Sequence, residues 1–261
     1  MTTHLVIGDP HATPGVSNDR FLWLGRAILD IRPDVVVCMG DFADLDSLCN
    51  YDRNTRSFEG RRYKLDLTCI HDALSKTLHP WASANAKLAD KKKRKIQLPR
   101  MVMLGGNHDE GRIEKATNVH PELHGTISID DLGYKALGWE YVPFLEPIEI
   151  DGIHYCHYFK SGNSATYNAI SGISIGRSLL QRNHASSTVG HSHVLDIASA
   201  VRPDGSRIWG LSAGCYTPAE PSYAKGSDKF WWRGLIVKRN VRNGDYDLET
   251  ISLQEVERRY G

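Results

Sequence analysis

The chain opens on a short apolar run, His4-Leu5-Val6-Ile7, stopped by Gly8, which reads as a buried β-strand. Ser17 or Asn18 can then cap a helix whose apolar positions Phe21, Leu24, Ile28 and Ile31 fall at helical spacing before Pro33 ends it. After Asp34, Val35 to Met39 is apolar with a β-branched Val35–Val37 run, as in a strand covered on both faces, and strand, helix, strand makes a βαβ unit. Residues 42–100 are the least regular stretch. A stripe of Leu67, Ile70, Leu74 and Leu78 predicts a helix over about 65–79, with Pro80 breaking or kinking it and a second piece from Trp81 to Ala89. A third strand, Met101 to Leu104, follows.

Beyond Glu110 comes a loop-and-helix stretch. Ile148 to Ile150 and Ile153 to Cys156 flank Asp151-Gly152, a strong hairpin signal. Arg177 to Asn183 reads as helix and Ser187 to Val189 as strand. Short strands close the chain, at Arg207–Ser212 and in a hairpin of Gly234–Val241 and Tyr246–Ser252 around Asn243-Gly244. With no internal repeat or linker, these elements predict one domain over 1–261. Its expected fold is mixed α/β, with two mixed sheets packed face to face and flanked by helices, and a helical basic insertion at about 42–100.

Bulk composition narrows this only slightly. A 41% hydrophobic and 24% charged chain with formal charge +1 has no global attraction for nucleic acid or acidic membranes. No apolar run approaches the roughly 20 residues a membrane span needs, and Met1 to His4 lacks the pattern of a secretory signal. The five cysteines (38, 49, 69, 156 and 215) are scattered with no Cys-x-x-Cys pair, against a disulfide framework or zinc finger. The expected location is the cytoplasm. Local charge is more telling: residues 42–100 hold 13 Lys and Arg against 7 Asp and Glu, concentrated at 53–64 and 91–95.

Chemistry sits in five islands that each follow a strand-like run: Asp9-Pro10-His11, Gly40-Asp41, Gly106-Asn107-His108-Asp109, His157, and Gly190-His191-Ser192-His193. All supply oxygen or imidazole nitrogen and none supplies cysteine, the donor set for two hard-to-borderline divalent cations. Strand ends converge on one rim of a sheet, where open α/β folds place their sites. An isolated Gly-Asp or Gly-His-x-His carries little weight, and His71, His79, His120, His124 and His184 lack strand-end context and read as structural or solvated. The ordered set points to metal-dependent hydrolysis.

That ordered set resembles the calcineurin-like metallophosphoesterase superfamily, across residues 9 to 193. The resemblance implies a four-layer αββα sandwich and a dinuclear centre, with manganese first and iron, zinc, nickel or cobalt as alternatives. It implies that Asp9, His11, Asp41 and His193 hold one ion, and Asp41, Asn107, His157 and His191 the other. His108 would meet the scissile phosphate, with Asp109 orienting its ring, and the nucleophile would be a hydroxide bridging the metals. The fourth island departs from the family's His-Gly pattern. His157 is chosen because it lies at the strand's end, with His154 the alternative.

The expected activity is hydrolysis of phosphodiesters, a nuclease in its specific form, with a nucleotide or cyclic-nucleotide phosphodiesterase and a phosphomonoesterase as alternatives. A metal-free scaffold is the contrasting class, which the complete ligand set argues against. Expected partners are a phosphate-ester substrate and, as the alternative to a solvated loop at 91–95, nucleic acid held by the basic 53–64 and 91–95 segments, with no membrane. Tyr63 and Trp81 are candidate stacking residues, with core packing the alternative. Arg112 is a candidate phosphate clamp because guanidinium forks match phosphate oxygens, its alternative a salt bridge with Glu114 or a nearby acid. Lys160 and Asn163 are weaker candidates of the same kind.

Overall fold

Alternation along the strands sorts the core into layers. In a computed structural model that describes residues 1–162, 168–218 and 226–261, strands β1 (Thr2–Ile7), β2 (Val35–Cys38) and β3 (Arg100–Leu104) pair in parallel. β4 (Glu140–Val142) continues the parallel sheet on one side. The hairpin of β10 (Gly234–Arg242) and β11 (Asp245–Ser252) adds antiparallel strands on the other, giving the order β11-β10-β1-β2-β3-β4. Leu5, Ile7, Val36, Cys38 and Met103 point to one face, against Phe21, Leu24 and Ile28 of α1 (Asp19–Ile31) and Ile70 and Leu74 of α2 (Tyr63–Asp90). Their neighbours Val6, Val37, Val102 and Leu104 point to the other, against Tyr155 and Leu211 of the second sheet. A period of two thus buries both faces of each strand.

The second sheet has the order β5-β6-β7-β9-β8, from β5 (Ile148–Ile150), β6 (Ile153–Tyr155), β7 (Ser186–Val189), β8 (Leu195–Val201) and β9 (Arg207–Ala213). Its outer face carries α4 (Ile175–Asn183), whose Ile175 and Leu179 pack with Val189. α5 (Leu253–Tyr260) packs against α1. The result is a four-layer αββα sandwich of two mixed sheets, and among the described residues no helix is long and apolar enough to cross a membrane.

The 42–100 segment differs from its expected form. α2 is one helix of 28 residues that continues through Pro80. The proline removes a hydrogen bond to the preceding turn, but Pro80 is buried and the helix there meets Gly25 of α1. A Cβ on Gly25 would fall 2.3 Å from the Thr77 carbonyl oxygen and 2.9 Å from Pro80 Cδ, so the two helices approach as closely as backbones allow. Trp81 donates from Nε1 to the Ile96 carbonyl, and Tyr63 donates to Asp131, both as packing residues. The exposed Lys91–Lys95 run leads into the start of β3, whereas the sequence islands follow the strands' C-terminal ends. The run thus precedes β3 by four residues, on the side of the sheet opposite the strand ends that carry the islands. Its exposure accords with a solvated loop, the first reading of this run.

Candidate metal centre

Three of the five islands bring four donor side chains to one buried cluster through backbone that most residues avoid. His11, Asp41, His191 and His193 have φ of 46°, 48°, 64° and 60°, the left-handed region that costs about 1–3 kcal/mol and persists at functional sites. The motif glycines make room for carboxylates. A Cβ on Gly106 would lie 2.1 Å from Asp41 Oδ1, and one on Gly190 would lie 2.2 Å from Asp9 Oδ1. Beneath the first island, the buried Arg20 of α1 donates to the Pro10 and His11 carbonyls at 2.9 and 3.2 Å, bracing the loop. Burial lowers its pKa to about 10, leaving it charged at neutral pH.

Three donor groups result among the described residues, one of them (His11, Asp44 and His108) sharing His11 with the first of the two that follow. Asp9, His11 and His193 converge in one, and Asp41, His157 and His191 in the other. Asp41 Oδ2 lies 3.9 Å from His11 Nε2 and 3.4 Å from His157 Nε2, between the two groups. Asn107 Oδ1 stands 2.9 Å from both His157 Nε2 and His191 Nδ1. His157 Nδ1 donates to the Met39 carbonyl at 2.7 Å, which turns Nε2 into the cluster. His154 instead lies on β6, 4.0 Å from Glu149.

The donors fit divalent cations. His11 Nε2 and His193 Nε2 face each other at 3.1 Å, and two nitrogens about 2.1 Å from one ion at 90–109° are about 3.0–3.4 Å apart. Asp9 Oδ1 is buried without a hydrogen-bond partner. Burial alone would raise Asp9 and Asp41, yet the neighbouring histidines outweigh it and hold both carboxyls below the ordinary range. Burial lowers His191 to about 4 and lowers His193 as well, keeping their lone pairs available. In His11 the burial effect is outweighed by Asp44, Asp41 and Asp9, which raise it to about 9. That surplus of negative field is what a bound cation satisfies while displacing protons.

His108 borders this cluster, its backbone N–H donating to Asp41 Oδ1 at 2.8 Å and its ring edge-on to His11. The carboxylate on its Nδ1 is Asp44, which corrects the expectation for Asp109. Asp109 is buried and caps α3 (Glu110–Val119): its Oδ1 accepts from the N–H groups of Gly106 and Glu110, and its Oδ2 from the Tyr134 hydroxyl. Burial, with Asp41 nearby, pushes it up to about 7. The side chain next to His108 in sequence leaves toward the helix start, while one three residues past Asp41 arrives from across the rim.

Asp44 also meets His11 Nδ1 at 3.3 Å, so one carboxylate steadies two histidines. Arg112 donates to the Asp44 carbonyl and lies 3.4 and 3.3 Å from the Asp44 and Asp46 carboxylates. It braces that segment, the salt bridge with a nearby acid that was the alternative to a phosphate clamp, made with Asp44 and Asp46 rather than Glu114. Lys160 forms a β-bridge with Ala169, and Asn163 lies outside the described residues. Trp231 stands edge-on to His193 with ring centroids 4.1 Å apart, a neighbour with no sequence signal beyond its aromatic pair with Trp232.

Two clefts open on the cluster. One, of about 1060 Å³, is lined by Asn107, His108, Arg112, Tyr51, Phe144 and Tyr158 among others. The second, of about 870 Å³, reaches His191 from Ser161, Ile170 and Arg182. A family model described as calcineurin-like phosphoesterase matches residues 3–206. No curated protein matches the chain in sequence. One solved crystal structure is 10% identical, over 95% of this chain and 98% of that one, at a TM-score of 0.36, a likeness too low to carry an argument. The family match spans most of the chain, which thus belongs to the calcineurin-like phosphoesterase family and is a hydrolase acting on phosphate esters.

Proposed function

We propose that the chain is a dinuclear metal-dependent phosphodiesterase. The observation that carries this is the pair of donor groups meeting at Asp41, with His108 at their edge, one cleft reaching His108 and another reaching His191. Asp9, His11, Asp41 and His193 hold one ion; Asp41, Asn107, His157 and His191 hold the other. When bound, the ions supply Lewis acidity to the phosphoryl group and lower the pKa of water. His108 contributes separately. With Nδ1 on Asp44, its Nε2 is the nitrogen that meets the phosphoryl or leaving oxygen. Burial would raise Asp44, but His108 and His11 hold it well below the ordinary carboxylate range, so it stays an ionised acceptor for both rings.

Two clefts suit a phosphate with two ester arms, which is the basis for preferring a diester. The nuclease form receives less support. Arg61 is paired with Asp52 at 2.7 Å and Arg53 with His120 at 2.6 Å, and the Lys91–Lys95 run is at the other end of the sheet. Turnover of bis(p-nitrophenyl) phosphate with manganese, beside p-nitrophenyl phosphate, tests the proposal. Faster hydrolysis of the diester is expected, and faster hydrolysis of the monoester overturns it.

A further inference from the structure

The cleft beside His108 has a wall that neither the metal donors nor the core explains. Tyr51 is 88% exposed and Val119 is 54% exposed, and both line it. Phe144 and Tyr158 add aromatic surface from the facing side. Lys115 Nζ lies 4.9 Å from the centroid of the Tyr51 ring. At that exposure the ammonium covers one ring face at most and leaves the other open. An aromatic ring so exposed contributes little to folding, while beside a phosphate-cleaving group it is a stacking platform.

Charges on the wall limit what can stack there. Asp52 is paired with Arg61, Arg112 with Asp44 and Asp46, and Glu110 accepts from the Tyr141 hydroxyl and the Phe144 N–H. Apart from these, the lining offers Lys115 as its cation, against Glu114 and Glu146. A polyanionic strand would meet more repulsion than attraction, whereas one phosphate with one base would not. Asn50 and Asn118 bring carboxamides to the same cleft, and a carboxamide presents a donor and an acceptor together, as a base edge requires.

Resting on the phosphodiesterase reading above, we infer that this cleft is a mononucleotide subsite. It takes the nucleoside arm of the ester, with the base on Tyr51, its edge toward Asn50 or Asn118, and Lys115 beside the phosphate. The class of substrate is then a small nucleotide diester.

Calorimetric titration of the manganese-loaded protein with AMP and with ribose 5-phosphate tests this, using wild type, Tyr51→Ala and Tyr51→Phe. AMP should bind about 10-fold more tightly than ribose 5-phosphate, as expected for one stacked base. Tyr51→Ala should lose that factor without changing ribose 5-phosphate binding, and Tyr51→Phe should keep it. Equal affinity for the two ligands in wild type, or an unchanged AMP affinity in Tyr51→Ala, overturns the subsite. A ten-residue oligothymidylate binding more tightly than AMP overturns the restriction to one nucleotide. Hydrolysis of bis(p-nitrophenyl) phosphate by the same samples separates the two levels. Turnover without an AMP preference removes only the subsite, and an AMP preference without turnover of any ester removes only the phosphodiesterase reading.

Discussion

Asp66 offers a quantitative check on how the cleft wall is anchored. It sits in the first turn of α2 with 2% of its surface exposed, and its Oδ2 accepts from the Ser47 N–H at 3.1 Å, tying the helix to the 46–48 turn. Burial, aided by the charges of Asp46 and Asp44, raises its pKa from 3.8 to about 6. The folded state therefore holds this proton more tightly than the unfolded chain. The associated stability is fully present below about pH 4 and is lost as pH rises through about 6. At about 1.36 kcal/mol per pH unit, the loss approaches about 3 kcal/mol. Asp66→Asn keeps an acceptor for Ser47 and removes the charge. Urea unfolding of wild type and variant, in chelator at pH 4, 5, 6 and 7, should show the variant gaining on wild type as pH rises, towards that figure. A constant difference, or one that moves the other way, would refute the assignment of a buried, proton-retaining carboxyl.

Four further outcomes follow, three at the site and one away from it. Gly106→Ala should cut metal affinity about 10- to 100-fold in equilibrium dialysis, because its methyl group would displace the Asp41 carboxylate, and unchanged affinity would contradict the packing seen. Asp44→Asn should lower turnover about 10- to 100-fold with two ions still bound. Asp109→Ala should instead cost about 1–2 kcal/mol of stability through the lost α3 cap, so an activity loss without a stability loss would restore its expected catalytic role. Replacing Lys91–Lys95 by alanine should leave hydrolysis of both small diesters and oligonucleotides unchanged, and a salt-dependent loss on oligonucleotides alone would bring the run back to the site.

The layers were legible because β1, β2 and β3 are buried on both faces, so their apolar runs announce strands and the loops after them must share one rim. β8 was not legible. All seven of its residues are at least partly exposed, so Leu195 to Val201 show no apolar alternation, and pairing with β9 alone makes them a strand. α2 defied Pro80 because contact with Gly25 outweighs one lost hydrogen bond. The donor islands could be read from strand-end position and residue type. Asp44 could not, since a carboxylate that serves two histidines from across a rim has no local signature, although its spacing of three from Asp41 was visible. The lysine run left two readings open for a related reason: charge density along a sequence says nothing about which end of a sheet it reaches.

The most direct measurement is the number of divalent ions bound per chain. Dialysis of wild type and Asp41→Ala against manganese, followed by elemental analysis of the protein, should find two ions in wild type and loss of both high-affinity sites in the variant, whose fold is checked by circular dichroism. One ion or none in the folded wild type, or two retained at full affinity without Asp41, would contradict a dinuclear centre joined by that carboxylate.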